Sequence, residues 1–254
     1  MFASVCSEWI KYRRTAIPWI AFLAPLAFMG IVLLYAYPHH GEKTADTLVQ
    51  DMMDQAAQLW YGVWFPLGWG LLTGLSAQFE AASGNWLALR VREVSPAKLY
   101  GAKMIVLAIY TGLSTLWLFI LLAVAGNLLG VPDAEPWWAV AAALLAGWIA
   151  SLPLLFISLW LAEAFNWAVA VGFGTIGILI ASLIGATSLG NGNWTFIPWS
   201  WPIKFTYMSY LSLTQSGENL FPVTVYWNVL VSAIVLSMAI TGISVKWFKD
   251  REVK

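Results

Sequence analysis

The side chains that could do chemistry are few, and they gather at the borders of long apolar runs. The densest set is the stretch from Gln78 to Lys103, QFEAASGNWLALRVREVSPAKLYGAK, where Arg90, Arg92, Lys98 and Lys103 stand against Glu80 and Glu93. Its interior interleaves Trp86, Leu87, Leu89 and Val91 with charge, between Gly84-Asn85 and Ser95-Pro96, which break or cap helices. The pattern predicts a short helix lying against a surface. Its chemistry is docking: apolar side chains that would otherwise face water seek a groove, and Arg90, Arg92 and Glu93 rim the contact. A basic loop that only fixes membrane topology would carry the same charges.

Other reactive side chains lack companions. His39 and His40 are adjacent on a loop, a poor chelate without spaced partners, and Cys6 is the single cysteine, so no intrachain disulfide and no Cys/His metal spacing exist. Gly41-Glu42-Lys43-Thr44 falls short of a phosphate-binding loop, lacking the second glycine and a following helix. The sequence therefore predicts no nucleotide hydrolysis by this chain. Every ionisable residue falls at an expected boundary or loop, so the spans show none of the buried acids, bases or charge pairs of an ion-coupled carrier.

The elements that must position these residues follow from composition. Of 254 residues, 60% are hydrophobic and 10% charged, with a mean hydropathy of +0.73. A water-soluble domain carries roughly 25% charge. Long, uninterrupted apolar segments predict an all-α integral membrane protein rather than a barrel.

Six spans are expected, at about 17–37, 60–79, 100–128, 137–160, 167–187 and 223–245. Ahead of them, residues 1–15 read as an interfacial amphipathic helix, with Phe2, Val5, Trp9 and Tyr12 opposite Ser7, Lys11 and Arg14. The first span reads as a retained helix rather than a cleaved signal. Pro25 and Pro153 should kink the first and fourth spans. Glycines 172, 174, 177 and 185 predict tight packing of the fifth span on the fourth. Glu163 sits in a very short turn, 162–166, and residues 38–58 form an acidic outer segment that could hold a surface helix from Thr44 onward.

Before the sixth span, residues 188–222 are aromatic and broken by Pro198 and Pro202, which suits one or two short helices dipping into the outer leaflet. Trp194, Trp199, Trp201 and Tyr207 could offer a preformed apolar surface to a substrate, or could anchor the protein at the interface. Orientation comes from base. Of thirteen Lys and Arg residues, all but Lys43 and Lys204 fall on one side of this topology, so both termini and the 78–103 stretch are expected in the cytoplasm.

This combination resembles the membrane subunit of an ABC exporter of the second permease class, and more narrowly the lantibiotic-immunity permeases of the MutE/EpiE type. The likeness rests on Glu8, Lys11 and Arg13-Arg14-Thr15 at the start, Phe65-Pro66 in span two, and Glu80, Asn85-Trp86, Ser95-Pro96 and Lys103 in the middle. Pro198-Trp199-Ser200-Trp201-Pro202-Ile203 before span six completes it. Trp201, where Tyr is commoner, departs from the pattern.

The resemblance implies a single transmembrane domain over residues 1–254 in a bacterial cell membrane. It implies an interfacial N-terminal helix, a coupling helix between spans two and three, and re-entrant or interfacial helices before span six. The coupling contact would comprise Glu80, Asn85, Trp86, Leu87, Leu89, Arg90, Arg92 and Glu93. The chain would hold no cofactor, with ATP and Mg on a partner ATPase dimer, and would pair with itself or a second homologous permease. Its substrate would be an amphipathic antimicrobial peptide expelled from the bilayer for self-protection; nucleic acid is not among the implied partners. Export of lipid, polymer or small drug, or a sensor or assembly factor that moves nothing, remain open alternatives.

Overall fold

The computed structural model describes residues 2–39, 41, 44–82, 95–131, 136–214 and 223–250, and among them all regular structure is helical. A short helix α1 (Phe2–Tyr12) precedes α2 (Ile17–Ala36). Next, α3 (Ala45–Leu59) runs through a π-helical turn, Trp60–Trp64, into α4 (Phe65–Ala82). Then come α5 (Pro96–Leu128), α6 (Trp137–Ala164) and α7 (Trp167–Ile180), the last extended by a second π-turn, Ala181–Gly185. Three single 3₁₀ turns lead to α8 (Trp201–Thr214) and α9 (Val223–Asp250).

Local sequence explains where these helices start and stop. At the head of α5, the Ser95 hydroxyl accepts from the Lys98 N–H at 3.3 Å and Pro96 takes the first turn, where its missing donor costs nothing. At the foot, Gly130 adopts φ +81° and the Val131 N–H returns to the Gly126 carbonyl at 3.0 Å, closing the helix with a left-handed residue that tolerates the turn. Asn166 caps α7 by accepting from the Val169 N–H at 3.0 Å. Pro25 and Pro153 both lie inside continuous helices.

Five helices are long and apolar enough to cross a membrane: Ile17–Ala36, Pro96–Leu128, Trp137–Ala164, Trp167–Gly185 and Trp227–Asp250. The expected second span is not among them, since Thr73, Ser76, Gln78 and Glu80 dilute α4. That segment is nevertheless interior. Trp60, Tyr61, Phe65, Trp69 and Leu72 are all at most 1% exposed, while large apolar side chains such as Leu34, Ile176, Leu179 and Met238 point outward, as lipid-facing residues do.

Three expectations change. The glycines of the fifth span do not meet α6: a Cβ on Gly174 would lie 2.1 Å from the Pro66 carbonyl oxygen of α4, and one on Gly70 of α4 2.6 Å from that of Ala170, so only bare backbone permits this crossing, while Gly177 faces Trp199 and Gly185 faces Ile203. The turn holding Glu163 shrinks, because α6 continues to Ala164 and Asn166 already caps α7. Helix α3 is not a separate surface element. It buries Leu48, Val49, Met52 and Met53 and joins span two through the π-turn.

Candidate functional site

Five ionisable side chains from four helices meet where α4 ends and α5 begins. Glu80 lies in the last turn of α4, Lys103 two turns into α5, Glu163 one residue before the end of α6, and Glu8 and Lys11 on α1. Lys103 Nζ donates to Glu80 Oε2 at 2.6 Å and also to Glu163 Oε1. Lys11 Nζ reaches the other Glu80 oxygen and, at 2.9 Å, Glu8 Oε1. One unbroken chain of ion pairs therefore links α1, α4, α5 and α6.

Burial gives this chain its energetic weight. The side chains of Lys103, Glu80 and Glu163 are each 3% exposed. A charge in such surroundings is tolerable only when paired and hydrogen-bonded, and removing one partner of a buried pair costs about 3–5 kcal/mol. Among the described residues three carboxylates of this cluster face two ammonium groups. Burial pushes the Glu8 carboxyl above the ordinary carboxylate range, against the opposing pull of Lys11.

The N-terminal helix is pinned as well as charged. Tyr12 is fully buried with its hydroxyl against that of Ser76 on α4, and the Trp9 ring stacks on Tyr110 of α5 at 4.5 Å. The apolar face expected to lie on the bilayer thus docks partly on the protein, leaving Phe2 exposed.

Sequence reasoning placed Glu80 and Lys103 beside the coupling segment but missed Glu163 and the assembly as a whole. The signal was present: Glu8, Glu80, Lys103 and Glu163 each border an apolar run at the same expected side, and acids and bases at equal depth in a helical bundle find one another. The other residues of the expected coupling contact, Asn85, Trp86, Leu87, Leu89, Arg90, Arg92 and Glu93, lie outside the described residues.

At the opposite end, the expected substrate aromatics turn inward. Trp194, Trp199 and Trp201 are 5%, 7% and 5% exposed, and Tyr207 is half-buried. Trp194 and Trp201 pack with Phe205 and Met208 against Ala146 and Ala150 of α6 and Val229 and Ala233 of α9. Trp199 wedges against Phe173 of α7, ring centres 4.8 Å apart. Polar ties lock the wedge: Trp201 Nε1 donates to the Thr195 carbonyl at 2.9 Å, and the Ser200 hydroxyl to that of Trp194 at 2.8 Å. These three indoles serve as core in this chain rather than as an open surface. Nearby, burial and the neighbouring Asp51 push the Asp54 carboxyl up to about 6, and burial, with the Asp54 charge behind it, raises Tyr207.

Residues 4–181 match the model of the family described as ABC-2 family transporter protein. No curated protein and no solved structure matches the chain.

Proposed function

This chain belongs to the ABC-2 family of transporter proteins, and from that premise we propose that it is one half of an exporter that expels a lantibiotic or similar amphipathic antimicrobial peptide from the membrane. Family membership makes it a membrane permease subunit of an ABC transporter, a transport component rather than a catalyst, and implies an ABC ATPase as partner. In our reading ATP and magnesium sit on that ATPase dimer, and a second permease, a copy of this chain or a homologue, completes the pathway. Residues 60–82 form a sixth span, enclosed by the other five. In this reading both termini and residues 83–94 face the cytoplasm of a bacterial cell, which the distribution of base supports.

The observation that carries the reading is the position of Glu80. It ends the helix that leads into residues 83–94, and through Lys103, Glu163 and Lys11 it is bonded to three further helices. A push delivered to that segment by ATPase closure moves a braced unit rather than one helix end. Trp86, Leu87 and Leu89 fill the ATPase groove, and Arg90, Arg92 and Glu93 rim it. On the outer side, Asp51, Asp54 and Tyr207 give a cationic, partly apolar peptide an acidic and aromatic exit, with the three indoles behind them holding its wall.

The experiment is Trp86→Ala, which touches no span. We expect normal membrane insertion with weakened ATPase copurification, or with ATP turnover uncoupled from protection of a peptide-sensitive host. Wild-type copurification, turnover and protection together would reduce the segment to a topogenic loop.

A further inference from the structure

A groove of about 640 Å³ runs along the outside of the bundle between α5, α6 and α9, on the side of α5 away from the ion-pair chain. Gly101, Ile105, Ala108, Ile109 and Gly112 form its floor on α5, Trp148 one wall on α6, and Thr241 marks α9. Trp148 is held upright because its Nε1 donates to Thr111 Oγ1 at 3.1 Å, and a Cβ on Gly112 would lie 3.1 Å from that ring. The lining reaches from Gly101 to Leu116, about 22 Å of helix. One leaflet of hydrocarbon is about 15 Å deep. The groove therefore accepts an extended chain lengthwise, where a flat helix face would meet only the flanks of bulk lipid.

Its membrane-surface end is basic. Lys98 precedes Gly101 by three residues and so continues the same face of α5; it is exposed and has no ion-pair partner among the described residues. Tyr100 packs on Phe248 with ring centres 4.8 Å apart, which brings the last turns of α9 to the same level. There Lys249, two turns beyond Thr241 on one face, and Lys246 are both exposed, against one acid, Asp250, among the described residues of those turns. We propose that this groove is a binding site for one anionic phospholipid, with an acyl chain along Gly101–Leu116 and the phosphate held by Lys98 and Lys249. Lysine stems run along apolar surface while their ammonium groups stay at headgroup level, and each such charge favours anionic lipid severalfold.

The test is native mass spectrometry of the full-length protein after mild delipidation, then titration with palmitoyl-oleoyl phosphatidylglycerol and phosphatidylcholine. The wild type should retain one phosphatidylglycerol per chain and prefer it about tenfold over phosphatidylcholine. Lys98→Glu combined with Lys249→Glu, both at the exposed surface, should abolish the preference, and Ala108→Phe should remove both adducts by filling the groove. No retained lipid on the wild type, equal retention of the two lipids, or undiminished preference in the charge-reversed protein overturns the site. If Ala108→Phe fails to fold by circular dichroism, the charge-reversed protein alone decides. The readout uses neither ATP turnover nor host protection, so its failure is distinct from failure of the exporter reading.

Discussion

The two ends of this bundle are held by opposite means. Where α4 gives way to α5, five ionisable side chains stitch four helices together. At the far end, indoles and hydroxyls close α6, α7 and α9 around the approach to α8. Ion pairs are directional, and losing one member leaves its neighbours charged and dry, whereas an aromatic wedge loses contact area in proportion to what is removed. The charged end therefore behaves as a single all-or-none joint and the aromatic end as a graded one.

The largest effect should come from breaking the joint. Lys103→Met removes the ammonium that Glu80 and Glu163 share, leaving Glu80 to Lys11, and should cost about 4 kcal/mol, seen as a fall of roughly 10 °C in the thermal unfolding midpoint of detergent-purified protein. Adding Glu80→Gln and Glu163→Gln should recover most of that fall, because the penalty lies in the unpaired charge. A triple variant no more stable than Lys103→Met would show that the lysine acts through packing alone.

Next in size is the wedge. Trp199→Ala should cost about 3 kcal/mol through the cavity left against Phe173, and Trp199→Phe clearly less. No charge substitution should rescue it. Equal losses for Ala and Phe would point to an indole hydrogen bond and erase the contrast between the ends.

The smallest effect concerns titration at the outer end. Asp54 has a carboxyl raised from 3.8 to about 6 by burial and by Asp51. Its contribution is fully present below about pH 4, where folded and unfolded chains both hold the proton, and is lost as pH rises through 6. Unfolding midpoints of wild type and Asp54→Asn should therefore diverge by a few degrees between pH 4 and 7, the variant holding the higher value at pH 7. Parallel curves would leave the outer end without a buried acid.

Much of the fold was written locally in the sequence. The five qualifying spans follow from apolar length, whereas Ser95-Pro96, read as the far boundary of a short helix, in fact opens α5 four residues ahead of the expected span. What escaped was pairing. Nothing near Glu163 distinguishes a four-residue turn from the last turn of a helix, and nothing near Lys103 names its partners 23 and 60 residues away. The indoles misled for a different reason: tryptophan between prolines suits a half-wet interface and a packed core equally, and only the neighbours of Trp194, Trp199 and Trp201 separate the two. Glycine spacing likewise marked α7 as a close-packing helix without saying that α4 would be its neighbour.

The paired π-turns impose a constraint on rotation. Trp60–Trp64 and Ala181–Gly185 each carry one residue more than an α-turn needs, as the bonds from the Phe65 N–H to Trp60 and from the Ala186 N–H to Ala181 record. Both face the same side chain, since a Cβ added at Gly62 or Gly185 would lie 3.1 or 2.9 Å from Ile203 Cδ1. Tightening either turn to α geometry would swivel everything beyond it by about 100°, one residue's share of a 3.6-residue turn. On α4 that swivel would carry Glu80 away from Lys103. The side chain of Ile203 fills the space between the two turns, and the angular setting of the charged joint depends on a turn at the opposite end of the same helix.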